Sequence, residues 1–288
     1  MTERTILRTC PISGFADEID TNVDKQLALL QELGIKWLEL RSADGINIAD
    51  MTEEQAKRLK KKLAEHDIRV SALGSPIGKI GIGDDFSSHF EKYEHVAALA
   101  DIFETPHIRM FSFYMPEGKN PADCRDEVLF RMARMVEYAA AHRLVLLHEN
   151  EKGIYGDVAG RCLDLMKEFY GDHFQATFDF ANFVQCSQDT LEAYEMLKPY
   201  IHYIHVKDAL AESGQVVPAG CGDGQLLKIF TALDAAGFSG FLSLEPHLTD
   251  FAGLKNLEAE AQKRGRTDGE AAFAEAHSAL QKLLTGTR

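Results

Sequence analysis

No stretch of this sequence holds the ~20 consecutive apolar residues that a membrane-crossing helix requires. The opening segment, MTERTILRTC, has no apolar core of the length that directs export. Both absences point to a cytoplasmic protein with no membrane partner. Cysteine is sparse: five residues, at positions 10, 124, 162, 186 and 221, are widely spaced and form no CxxC pair. An odd number so distributed gives no disulfide framework and reads as reduced thiols. Positive charge is scarce as well. The chain has 31 Lys and Arg against 45 Asp and Glu, a net charge of -14. Such a chain repels nucleic acid unless a local basic patch compensates. The densest basic run, KRLKKKL from Lys57 to Leu63, lies in a helical pattern beside Glu53, Glu54 and Glu65. It reads as a solvated helix face, so no nucleic-acid partner is expected.

What is present is ordinary globular material, 288 residues at 45% hydrophobic and 26% charged. Apolar segments of strand length alternate with helical patterns along the whole chain. The first strand lies in CPISGFADEI, and Thr21 is a candidate cap for the helix that runs to Gly34. The strand IKWLELRSA and a helix capped by Thr52 follow. RVSALG is the third strand. SPIGKIGIGDD, Ser75 to Asp85, comes after it. No Ser or Thr follows its one lysine, Lys79, so the Walker spacing is missing and a mobile loop is expected. The helix SSHFEKYEHVAALADIF, the strand HIRMFSF and a long helix beginning NPADC lead into four more strands: LVLLHEN, FQATFDFAN, IHYIHVKD and GFLSLEPH. Helices near 157–170, 188–197 and 224–236 separate these. A polar, irregular tract follows Glu245, and EAAFAEAHSALQKLL closes the chain. Strict strand–helix alternation implies a parallel sheet. Eight such units predict an α/β fold of one closed (β/α)8 TIM barrel. No linker or composition break appears, so residues 1–288 are expected to form a single domain.

The last four strands each end in a potential metal ligand: Glu149, Asp179, His205 and Glu245. Side chains alternate faces along a strand. If these four point inward, Leu147, Thr177, Tyr203 and Ser243 do too. The outward set is then Leu146, Phe178, Ile204, Val206, Leu242 and Leu244, all apolar, as packing against a helical layer demands. Three carboxylates converging unpaired would be costly, and a divalent cation removes that cost. Oxygen ligands with one imidazole suit Mn²⁺, Mg²⁺ or Co²⁺ better than a thiolate zinc site. One divalent ion is therefore expected, Mn²⁺ first, with Mg²⁺, Co²⁺ and Zn²⁺ as alternatives.

Lys207 shares the inward face with His205 and is a candidate donor to a substrate oxygen. Glu151, two residues past Glu149, and Asn182, three past Asp179, complete a candidate substrate shell. His148 alternates out of the interior and is assigned a supporting role. Arg109 either holds substrate or pairs with Glu39 deep in the barrel. Asp208 is a candidate to orient His205. The glycines of GCGDGQ, 220–225, would let backbone approach a ligand closely.

Four segments carry a resemblance: HVKD at 205–208, GCGDGQ at 220–225, FDFAN at 178–182 and LEPH at 244–247. On these the chain resembles the xylose isomerase-like barrel superfamily, in particular its sugar phosphate isomerase/epimerase branch. The resemblance implies that Glu149, Asp179, His205 and Glu245 bind one divalent metal. It also implies that Glu149 and Glu245 move the proton at the substrate carbon. The expected activity is isomerisation or epimerisation of a sugar or related polyol ketone through an enediolate. Where some sugar epimerases of the branch carry His, this chain has Asn182, which leaves the substrate contacts open. A lyase acting on an inosose or dehydroshikimate is the alternative. An endonuclease IV-like phosphodiesterase is disfavoured by the acidic charge, and a non-catalytic binding protein by the intact ligand set. A homo-oligomer is compatible with the resemblance.

Overall fold

The computed structural model describes residues 6–249 and 268–286. Its central element is a sheet of eight parallel strands. They are β1 (Ile12–Gly14), β2 (Trp37–Leu40), β3 (Arg69–Leu73), β4 (His107–Met110), β5 (Val145–Glu149), β6 (Phe174–Asp179), β7 (Ile201–Val206) and β8 (Phe241–Leu244). The ladder runs from β1 through β8, β7 and so on round to β2, and β2 lies beside β1, so the ring is nearly closed. The helices α1 (Val23–Glu32), α2 (Glu53–Glu65), α3 (Phe86–Phe103), α4 (Arg125–Ala141), α5 (Ala159–Phe169), α6 (Phe180–Gln185), α7 (Thr190–Leu197), α8 (Leu226–Ala236) and α9 (Gly269–Thr285) surround it. This is the TIM barrel that the alternation predicts. The polar tract expected after Glu245 falls largely on residues 250–267, outside the described residues.

The strand parity holds. Leu146, Phe178, Ile204, Val206, Leu242 and Leu244 are all buried in the layer between strands and helices. Leu147 and Tyr203 pack inside the ring with Ala72. The floor of that interior is polar and internally bonded: the Ser71 hydroxyl is 2.6 Å from that of Ser13 and 2.9 Å from that of Tyr203. Burying a hydroxyl without such a partner costs on the order of 1–3 kcal/mol, which is why the serines and the phenol meet. All five cysteines are free thiols. Among the described residues, no helix is long and apolar enough to cross a membrane.

Local chemistry shifts several boundaries. Asn22, not Thr21, caps α1, accepting from the amides of Asp24 and Lys25. Thr52 does cap α2, in a reciprocal box with Gln55. The NPADC segment is a separate turn, Pro121–Cys124, ahead of α4, because Asn120 caps it and Pro121 starts it. The tail of FDFAN is helical, not strand: Asp179 ends β6 and caps α6 by accepting from the Asn182 amide.

The glycine-rich stretch after β3 is not free. Ile77, Gly78 and Ile80 accept backbone hydrogen bonds from Phe111, Phe113 and Tyr114, and Ile82 donates back to Tyr114. Gly78 has φ +89°, and a Cβ there would lie 1.9 Å from the Phe111 carbonyl oxygen. Glycine is what permits this approach. The segment is thus an arm laced to the chain that leaves β4, contrary to the expected mobility.

Candidate functional site

The carboxyl ends of the strands gather charge out of water. Glu149 and Asp179 are the last residues of β5 and β6. His205 lies one residue before the end of β7, and Glu245 directly follows β8. All four are buried, and one ligand atom from each lies within 4.8 Å of every other. The pairing of neighbouring strands sets this convergence, since Asp179 stands opposite His205 and Ser243 opposite His205 on the other side.

His205 defines the geometry. Its Nε2 lies 3.1 and 3.2 Å from the two carboxylate oxygens of Glu39, to which it donates. Glu39 also accepts from the Ser243 hydroxyl at 2.6 Å. With the Nε2 proton so placed, Nδ1 turns its lone pair toward Glu149 Oε1 at 3.0 Å, Glu245 Oε2 at 3.6 Å and Asp179 Oδ2 at 4.0 Å. Lone pairs facing one another across such gaps call for a positive charge between them, a proton on Nδ1 or a metal ion. Burial alone would lower the His205 pKa, but Glu39 and Glu149 outweigh it and hold it well above its ordinary value. The Nδ1 of His205, Oδ2 of Asp179 and Oε2 of Glu149 are buried without hydrogen bonds, the two oxygens being met only by the ion pairs to Lys207 and Arg109. Three carboxylate oxygen donors, one imidazole and a fourth carboxylate, Glu39, fixing that imidazole fit a divalent cation of the Mn²⁺ or Mg²⁺ type. The cluster can hold a metal.

Each carboxylate has polar or charged neighbours at both oxygens. Asp179 Oδ1 accepts from the Asn182 amide, and Asn182 Nδ2 donates to Glu149 Oε1 at 3.2 Å. Asn150 clamps β5 to β6 by exchanging two bonds with the Asp179 backbone. Glu245 Oε1 lies 3.1 Å from Arg41, 3.7 Å from Arg109 and 3.4 Å from His247. Lys207 Nζ stands 3.0 Å from both Asp179 Oδ2 and Glu245 Oε2. Burial pushes Glu245 up, yet Lys207, His247 and His205 hold it well below the usual carboxylate range. Burial also raises Asp179, to about 7, because Glu149 and Glu245 reinforce it against Lys207.

The structure therefore brings Arg109, Asn182 and Lys207 to the four ligands. Arg109 reaches Glu149 Oε2 at 3.2 Å and lies between the rings of Phe15 and Phe111. It does not pair with Glu39, whose carboxylate is taken by His205 and Ser243. Glu151 stands apart from the ligands, in an ion pair of 2.9 Å with Lys79 of the glycine-rich arm. His148 faces away: its Nε2 meets the Ser112 hydroxyl at 2.9 Å, and its ring packs near Phe174. Asp208 does not orient His205. It accepts four backbone amides, from Ala209, Gly220, Gly222 and Gly224, and so holds the 220–224 loop in place. A Cβ on Gly222 would lie 2.5 Å from the Ala209 carbonyl oxygen, so the glycines there serve a tight fold of the loop on itself.

Sequence reasoning missed a second charged group beside the ligands. Arg41, just past β2, is held by Asp17 at 2.8 Å and Glu18 at 3.1 Å, as well as by Glu245. Glu18 Oε2 accepts the His247 backbone amide at 2.6 Å, and its Oε1 lies 3.5 Å from the His247 ring. Burial opposes a charge on His247, but Glu18 and Glu245 raise its pKa to about 9. The spacing that places Lys207 two residues beyond His205 would also have found Arg41 beyond Glu39 and His247 beyond Glu245.

A sequence model of xylose isomerase-like TIM barrel proteins matches residues 27–282. The 3-dehydroshikimate dehydratase of Bacillus anthracis is 24% identical over 177 residues, covering 62% of this chain and 63% of that protein, less than two thirds of its length. Among solved structures, an L-ribulose 3-epimerase superposes with a TM-score of 0.76 at 19% identity over 96% of this chain and 94% of that one. A xylose isomerase-like barrel protein from Mycobacterium smegmatis, solved in complex with magnesium, gives 0.66 at 17% identity over 97% and 100%. At these identities the structural matches show a shared fold.

Proposed function

This chain belongs to the xylose isomerase-like TIM barrel family, and from that premise we propose a divalent-metal-dependent isomerase or epimerase of a sugar or related polyol ketone. The observation that carries the reading is the buried set Glu149, Asp179, His205 and Glu245 around one point. A divalent ion there would act as a Lewis acid on the oxygen of the substrate carbonyl. Mn²⁺ is the first candidate, with Mg²⁺, Co²⁺ and Zn²⁺ as alternatives.

The residues of the chain supply the rest. Glu149 and Glu245 are the acid and base that move the proton of the carbon beside the carbonyl. Arg109, within 3.2 Å of Glu149 and 3.7 Å of Glu245, fixes both carboxylates relative to each other. Lys207 is placed to donate to a substrate oxygen as negative charge develops on it. Asn182 steadies Glu149, and the Lys79–Glu151 pair contributes to substrate binding at the rim. His148 supports β5 from behind. We take residues 1–288 as one domain, and the five free thiols fit a reducing, cytoplasmic setting.

Deuterium incorporation at the α-carbon of candidate ketoses, followed by NMR with Mn²⁺ present, tests the reading. Exchange that Glu149→Gln or Glu245→Gln slows by about 10²–10⁴-fold supports it. An active substrate that turns over without exchange contradicts it.

The dehydratase similarity favours one second reading, loss of a β-hydroxyl after the same proton removal. A new enone absorbance with an inosose or dehydroshikimate would identify that outcome.

A further inference from the structure

Lys207 is an unusual neighbour for a metal site. It follows β7 directly, two residues beyond His205, and it is 4% exposed. Its ammonium touches Asp179 Oδ2 and Glu245 Oε2, each at 3.0 Å. Those are the oxygens that these two carboxylates turn toward His205 Nδ1. Their other oxygens are engaged elsewhere, Asp179 Oδ1 by the Asn182 amide and Glu245 Oε1 by Arg41. A cation coordinated by His205 Nδ1 therefore needs the two atoms that the ammonium holds. Two cations sharing the same two oxygens repel strongly in a buried site.

Resting on the metal reading above, we propose that Lys207 and the divalent ion exchange places. The ammonium is the internal counter-charge of the ligand carboxylates. Metal entry displaces it from Asp179 and Glu245, and it moves outward from the ligand cluster. There it is free to meet a substrate oxygen. Metal binding thus prepares the substrate subsite, and the order of binding is metal first, substrate second. The three ligand carboxylates keep a cation in both arrangements, as their burial requires.

Two measurements test the exchange. Mn²⁺ binding to wild type and Lys207→Met is compared by calorimetry, and both proteins are melted in chelator. The exchange predicts that Lys207→Met binds Mn²⁺ at least about tenfold more tightly, because no cation must leave. It also predicts a lower melting temperature in chelator, because the carboxylates lose their counter-charge. Equal or weaker Mn²⁺ binding by the variant overturns the exchange while leaving the metal reading standing. Uptake of no divalent ion by either protein overturns both.

The second measurement needs no variant. Acetic anhydride labelling of wild type is read at Lys207 by mass spectrometry with and without Mn²⁺. The exchange predicts at least about a threefold rise in labelling when the metal is added, as an ammonium leaves a buried ion pair. Unchanged or reduced labelling contradicts it.

Discussion

Because Nε2 of His205 donates to Glu39 at 3.1 Å, the orientation of the imidazole is in the keeping of a residue five strands away around the ladder. Glu39→Gln keeps an acceptor oxygen but removes the charge. It is expected to weaken Mn²⁺ binding by about 10–100-fold with the fold intact, as read by calorimetry and circular dichroism. Asp208→Asn is the contrasting variant. It should leave Mn²⁺ affinity unchanged and speed hydrogen exchange at Gly222 and Gly224, whose amides Asp208 accepts. The reverse pattern would restore Asp208 as the partner of His205. The misassignment has a physical source. Asp208 follows His205 closely in sequence, but it starts the ribbon Asp208–Ala209 with Val216–Val217, which turns its carboxylate to the loop amides. Glu39 is 166 residues from His205, and only the closed ring joins them.

A different imidazole contributes to acid stability. His89 of α3 accepts the Gly78 amide through Nε2 at 2.7 Å, which requires the neutral form. Burial, with Lys92 and Arg131 nearby, lowers its pKa from 6.5 to about 4. As pH falls, the unfolded chain takes up this proton before the folded one does. The contribution of His89 to stability is therefore complete above 6.5 and is lost as pH drops through about 4. His89→Gln, whose side-chain oxygen can still accept from Gly78, should give a shallower fall of melting temperature over that window. An unchanged slope would contradict the assignment.

At the scale of elements, β5 to β8 were legible because each is four to six residues long and ends with polar inward positions set between mostly apolar outward ones. Their parity located the four ligands without any structure. β1 has three residues and too few positions for alternation to show. The roles of the acids that follow it, Asp17 and Glu18, stayed hidden for that reason. The arm after β3 failed differently. Glycine content suggested mobility, yet Gly78 is there to pass close to the Phe111 backbone. Gly78→Ala is expected to destabilise the protein by more than about 2 kcal/mol in urea unfolding, since the new Cβ would collide with that carbonyl at a backbone angle that side chains rarely adopt. A neutral substitution would mean that the arm is not pinned as described. Asn150 also escaped notice, because a residue that bonds only to backbone leaves no mark in spacing. Its removal in Asn150→Ala should cost about 1–3 kcal/mol by the same assay, as two buried groups of Asp179 lose their partners.

For the whole molecule, the net charge of -14 and the buried mouth belong to separate accounts. The first is a sum over the whole chain, whereas the mouth sets Arg41, Arg109, Lys207 and His247 against its carboxylates. Such an arrangement is stable only if every charge retains a partner. The barrel meets that need by drawing partners from strand ends far apart in sequence, which explains why Lys207 and Arg109 could be read from the chain as site residues while their carboxylate partners, and the whole Arg41–His247 group, emerged only from the closed ring. The central claim is that this mouth holds one divalent metal. Elemental analysis of the purified protein beside Glu149→Gln and Glu245→Gln tests it most directly. About one Mn²⁺- or Mg²⁺-type ion per wild-type chain is expected, with a clear reduction in both variants. No metal in the wild type, and no uptake when Mn²⁺, Mg²⁺, Co²⁺ or Zn²⁺ is supplied, would contradict it.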